Sequence, residues 1–91
     1  MNPRVKEVYP NGDYTLTLVF DNGEKGIFDM SPYLEKGIFL QLKDRRVFNS
    51  VRPFLGSIQW GNGADLCPDM LYLDSDRSIT DSEVKALNQK P

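Results

Sequence analysis

The densest collection of chemically capable side chains is Trp60-Gly61-Asn62-Gly63-Ala64-Asp65-Leu66-Cys67-Pro68-Asp69. It sets an indole, two glycines and two carboxylates close together, a combination able to grip a polar ligand or a hydrated magnesium ion. Ligand binding would then fall to Trp60, Asn62, Asp65 and Asp69. The same residues have a purely structural use. Trp60 can anchor a core, Asn62-Gly63 can turn a hairpin, and the two aspartates can accept from nearby backbone N–H groups. Two carboxylates four residues apart, with a proline between, define no metal geometry. The structural use is the expectation and the ligand site the alternative.

A second constellation is basic. Lys43, Arg45, Arg46 and Arg52 stand against the single acid Asp44 in a chain of net charge −2. Such a patch could meet an acidic protein surface. RNA phosphates fit less well, because single strands also need stacking aromatics. Without a partner, the same residues are the solvated face of a short helix whose other face carries Val47, Phe48 and Val51.

Composition removes most other chemistry. The sequence has no histidine, so imidazole bases, histidine metal ligands and Ser-His or Cys-His nucleophiles are absent. The lone Cys67 rules out an internal disulfide and a multi-cysteine zinc site. Its neighbours Leu66, Pro68 and Asp69 would not lower a thiol pKa, and a small buried hydrophobe is expected there. Asp74-Ser75-Asp76-Arg77-Ser78 starts like a calcium loop but has Ile79 where glycine is required and Lys85 where glutamate is required. An enzyme would have to work with Asp, Tyr or Lys alone. The reading is therefore non-enzymatic, with no cofactor and no metal. Apolar runs are too short to span a bilayer, and Met1-Asn2-Pro3-Arg4 lacks the apolar core of a signal peptide. A reduced, cytoplasmic setting is expected.

The elements that must position these residues are short. Val5 to Tyr9 reads as a strand, and Tyr14, Leu16, Leu18 and Phe20 alternate with Thr15, Thr17 and Val19 in a second. Glu24 to Asp29 reads as a third, giving an antiparallel meander. Asn11-Gly12, Asn22-Gly23 and Asn62-Gly63 predict type I′ turns, which need positive φ at both central residues. Ser31-Pro32 predicts a capped helical turn stopped by Gly37, after which Ile38, Phe39 and Leu42 should enter the core. Asp44 should cap a helix over Arg45–Val51, ended by Pro53. Ser57 to Trp60 and Ala64 to Leu66 should pair as returning strands, with Asp69 capping a turn through Leu71 and Tyr72. Thr80 and Glu83 form a capping box ahead of Val84 and Leu87, predicting a short C-terminal helix in a polar tail over residues 74–91. The sum is one small two-layer α+β domain over residues 1–73. The meander's edge would allow a homodimer across a two-fold axis.

Pro3-Arg4-Val5, Phe20-Asp21-Asn22-Gly23-Glu24, Phe28-Asp29 and Trp60 through Tyr72 stand together in this order. Over about residues 3–73 the chain resembles the bacterial and archaeal family called domain of unknown function 2442. The resemblance implies a small α+β fold and no established activity. Some relatives carry a DNA-binding helix-turn-helix after the domain, but the 18 residues after Leu73 are too few for one. It also implies pairing with a small neighbouring protein, in arrangements like toxin–antitoxin modules. The combined expectation is a protein-interaction module in which Lys43, Arg45, Arg46 and Arg52 meet acidic groups, with direct nucleic-acid binding disfavoured.

Overall fold

A computed structural model describes residues 2–77. Three strands, β1 (Val5–Pro10), β2 (Thr15–Phe20) and β3 (Lys25–Asp29), form the antiparallel meander in the order β1-β2-β3. Two 3₁₀ segments, Ser31–Tyr33 and Gly37–Lys43, lead into the one-turn helix α1 (Arg45–Phe48). A hairpin of β4 (Arg52–Phe54) and β5 (Ser57–Gln59) follows, then helix α2 (Pro68–Asp74). The mixed α+β fold is the one the sequence predicts. The expected C-terminal helix around Thr80–Leu87 lies outside the described residues.

Alternation in β2 sends Leu16, Leu18 and Phe20 inward, each fully buried. Thr17, expected on the opposite face, is fully buried as well, because the Asn11 amide covers it and donates to its hydroxyl at 2.9 Å. Trp60 is the largest fully buried side chain, and its Nε1 donates to the Phe48 carbonyl at 3.1 Å. Phe28, Met30, Leu42, Phe48, Ile58 and Leu71 complete the centre of the same cluster. Phe39 only packs against this cluster, and Ile38 is 48% exposed. The reason is that residues 37–43 wind as a 3₁₀ helix, whose three-residue period turns only one row of side chains inward.

The turns differ from the type I′ expectation in a uniform way. Residues 11–15, 20–24 and 60–64 each close with a hydrogen bond between first and last residues, from Asn11 N to Thr15 O, Phe20 N to Glu24 O and Trp60 N to Ala64 O, at 2.8–2.9 Å. Only the fourth residue has positive φ: Tyr14 at 63°, Gly23 at 90° and Gly63 at 89°. The third residue, Asp13, Asn22 or Asn62, accepts from the N–H two residues on. This is a three-residue loop with a left-handed fourth position, in which the Asx side chain stabilises the turn.

The later elements also depart from the sequence reading. Ser31 does not cap its turn; its N–H donates instead to Asp29 Oδ1 at 2.9 Å. Gly37 opens the second 3₁₀ segment rather than stopping the first. Asp44 does cap α1, accepting from Arg46 N at 2.9 Å, but the helix ends at Phe48 and Pro53 lies inside β4. β5 pairs with β4, and Ala64–Leu66 keeps only the single bridge from Asp65 to Gln59. The two contacts use opposite edges of β5, since Gln59 pairs with Arg52 on one side and bridges Asp65 on the other. Cys67 occupies the N-cap of α2 with Pro68 in its first turn, which puts Asp69 inside the helix instead of at its cap.

Residue 76 bridges the outer edge of β3, with reciprocal bonds between Ile27 and Asp76 at 2.8 and 2.9 Å. Nearby, Tyr72 Oη donates to Glu24 Oε1 at 2.7 Å, Arg77 pairs with Glu24 Oε2 at 3.5 Å, and the Arg77 guanidinium lies 4.0 Å from the Tyr72 ring centroid. The Tyr72 hydroxyl, then the Asn22 amide and the charge of Arg77, hold the Glu24 carboxyl below its ordinary pKa.

Replacing Trp60 by Phe removes indole volume and leaves the Phe48 carbonyl unpaired, so Trp60→Phe should cost about 2 kcal/mol, read from urea unfolding by circular dichroism. Because the folded state lowers the Glu24 pKa, its stabilisation is complete above the unfolded value of about 4.3 and is lost as pH falls through the folded value. Glu24→Gln should therefore narrow the difference between urea midpoints at about pH 7 and about pH 3.5. An unchanged difference would show that the cluster does not couple to acid unfolding.

Candidate functional site

The four basic residues do not converge. Lys43 forms an ion pair with Glu35. Arg45 is half-buried, donates to the Asn11 carbonyl at 2.9 Å, and lies 4.6 Å and 5.0 Å from the ring centroids of Tyr14 and Phe48. Tyr14 in turn donates its hydroxyl to the Lys43 carbonyl at 2.6 Å and sets its ring edge-on against Phe48. These contacts hold Tyr14 at a φ that costs a side-chain-bearing residue roughly 1–2 kcal/mol. Arg45 Nη1 and Asn11 Oδ1 are buried at this joint without a hydrogen-bond partner among the described residues. Arg45 thus ties the first hairpin to α1.

Arg46 points out, with 92% of its side chain exposed, and pairs with Asp44 at 3.3 Å. The Arg46 side chain and then its backbone N–H lower the Asp44 pKa, so the helix cap stays ionised. Arg52 lies on β4, where it donates to Gln59 Oε1 at 2.7 Å and stacks on Phe54.

The residues of the 60–69 stretch also part company. Trp60 is 1% exposed, which puts its indole in the core. Asn62 is committed to the fold: Oδ1 accepts from Ala64 N, and Nδ2 donates to Gln41 Oε1 at 2.9 Å and to the Ile38 carbonyl at 3.4 Å. Asp65 is exposed, and exposed Asp69 accepts from Asn2 Nδ2 at 3.3 Å. Among the described residues, no three Cys, Asp or Glu side chains gather as a metal ion would need. Cys67 is exposed instead of buried, because the N-cap position turns its side chain away from the apolar face of α2.

One residue from each sequence-predicted set does meet. Arg46 and Asn62 line a common open groove of about 440 Å³, together with Asp44, Val47, Ser50 and Gly61. Ser50 ties the two walls of the groove together: its hydroxyl accepts from Gly61 N at 2.8 Å and donates to the Val47 carbonyl at 2.5 Å. A Cβ on Gly61 would come within 3.0 Å of Ser50 Oγ, so glycine permits this approach of turn to helix. Sequence reasoning missed Ser50 and read Gly61 only as one of two glycines in the Trp60–Asp69 stretch, since the role of each depends on its neighbour across the groove.

These contacts separate two adjacent arginines. Arg45→Ala should destabilise the fold by about 1–2 kcal/mol through lost stacking and packing. Arg46→Ala should stay within about 0.5 kcal/mol of the parent, as exposed pairs do. Thermal melts of the two variants distinguish a structural arginine from one available to a partner; equal losses would refute the division.

The family model described as protein of unknown function (DUF2442) matches residues 5–76. No curated protein and no solved structure matches the chain. The match covers the meander, the groove and α2 up to the bridge at Asp76. The chain belongs to the DUF2442 family.

Proposed function

We propose that this chain is a non-enzymatic interaction module of the cytoplasm, engaging a small protein partner through the groove between α1 and the Trp60–Ala64 turn. The observation that supports it is the chemistry of the groove. Asp44, Ser50 and Asn62 spend their polar atoms within the chain, leaving a visitor the apolar side of Val47 and the exposed guanidinium of Arg46. An apolar floor beside an accessible arginine suits a protein interface, where arginine is a frequent anchor. Among the described lining residues the one acid, Asp44, is engaged as the cap of α1 and in its pair with Arg46, which favours a binding role over acid–base work.

The partner face that fits carries a carboxylate for Arg46 and an apolar side chain for Val47. Ile38, half exposed and joined to the groove through the Asn62 amide, widens the apolar contact. An antitoxin-like or regulatory role toward that partner is the biological form of this reading. In this reading Arg46 makes the direct contact, because its side chain is the most exposed of the paired cations, while Lys43 keeps its pair with Glu35 and Arg45 its bond to the Asn11 carbonyl.

The test is affinity capture from the native host lysate with the tagged full chain, its Arg46→Glu variant and its Asp65→Ala variant, quantified by mass spectrometry. One stoichiometric protein is expected with the parent and with Asp65→Ala, reduced at least about tenfold by Arg46→Glu, a change of ~1.4 kcal/mol. Equal capture by Arg46→Glu would remove the groove from the interface. Loss in Asp65→Ala alone would move recognition to the 60–69 turn.

A further inference from the structure

Leu55 stands where the fold gives a hydrophobic side chain least support. Strands β4 and β5 are joined by Leu55-Gly56 alone, with Phe54 opposite Ser57, and both loop residues have positive φ, 50° and 79°. This is the type I′ pattern, whose first position is ordinarily Asn, Asp or Gly because a larger side chain strains the left-handed backbone. The other strained residue, Tyr14, is repaid by its hydroxyl bond and by contacts with Phe48 and Arg45. Among the described residues Leu55 finds no such compensation: it is 81% exposed, more than any other large hydrophobic side chain there.

The tip that carries it is firmly held. Gly56 O accepts from Val5 N at 3.0 Å, and a Cβ on Gly56 would strike Arg4 Cδ at 2.6 Å, so the turn is clamped against the start of β1. Beside Leu55, the Arg52 guanidinium lies 4.9 Å from the Phe54 ring centroid, and its bond goes to the neutral amide of Gln59. Its charge is therefore not cancelled in that contact. Pro53, opposite Ile58 in the non-hydrogen-bonded pair, faces the outer edge without an N–H. That blunts the edge against an added strand, so recognition here must run through side chains.

We propose that the β4–β5 hairpin tip is a docking knob, with Leu55 entering an apolar pocket on a protein partner whose carboxylate rim faces Arg52. Strain and exposure at one rigidly held residue are the signature of a side chain kept for contact at a cost to the fold. The acidic rim follows from the charge of Arg52. The proposal rests on the interaction-module reading only in requiring a protein partner, and it uses a surface separate from the groove.

The experiment places a photoreactive phenylalanine analogue at Phe54 of the full chain in its native host, in parent, Leu55→Asn and Arg52→Glu backgrounds. One discrete protein adduct is expected in the parent, at least about tenfold weaker in both variants. Leu55→Asn, which restores the preferred Asn-Gly turn, should also raise the Tm of the purified protein by roughly 4–8 °C. No adduct, or an adduct undiminished by Leu55→Asn, overturns the knob, and an unraised Tm overturns the strain on which it rests. Capture that persists and depends on Arg46 while position 54 gives no adduct would retain the interaction module and reject the knob alone.

Discussion

The contact on which the rest of the structure depends is a chain of aromatic rings centred on Trp60. Tyr14 meets Phe48, Phe48 meets Trp60, Trp60 meets Phe39, Phe39 meets Tyr33 and Tyr33 meets Phe28, at centroid distances of 5.1–6.5 Å. The chain starts at the first hairpin, passes through α1 and the end of β5, crosses the 3₁₀ segments and returns to β3. No helix among the described residues is longer than seven residues, well short of the length at which a helix holds itself in water. The short elements therefore exist because this core orders them. The bond from the Trp60 indole to the Phe48 carbonyl sets the orientation of the central ring, since a buried N–H must find a partner.

The five-residue turn used three times shows how a local rule and a tertiary demand share the work. In two copies glycine takes the left-handed position, and an asparagine side chain closes the loop. In the first copy Tyr14 takes that position, because the fold needs its ring against Phe48 and its hydroxyl on the Lys43 carbonyl. Strain there is balanced by contacts inside the molecule. At Leu55, 81% exposed, no described residue provides a comparable balance, which is why the same kind of outlier carries a structural account in one place and the docking proposal in the other.

The charges follow the same division. The run from Lys43 to Arg52 is basic in sequence, yet in space it breaks into an ion pair with Glu35, a stacked arginine at the hairpin joint, a cap pair with Asp44 and a β4 arginine beside Phe54. A linear charge count overstates such a patch, because 3₁₀, helix and strand segments point successive residues in different directions. What this leaves at the surface is local: an exposed Arg46 at the groove and Arg52 beside Phe54 on β4.

Sequence alone determined the meander, the cap at Asp44, the burial of Trp60 and the α+β class. Each rests on a short-range signal: alternation of two, an Asx residue before a helix, or a large apolar body with few places to go. The 60–69 stretch was also legible as containing a turn at Asn62-Gly63, though not as one closed by the Asn62 side chain. Tertiary structure alone decided that Arg46 and Asn62 line one groove, that Ser50 and Gly61 shape it, that Arg45 is structural and that Leu55 stands exposed on a strained tip. The physical reason is that these properties depend on which segments approach one another. Gly61 matters because Ser50 lies against it, and Arg45 because Tyr14 and Asn11 arrive from 31 and 34 residues away. Period, propensity and composition describe a residue with its chain neighbours; a groove is made by residues that are not chain neighbours.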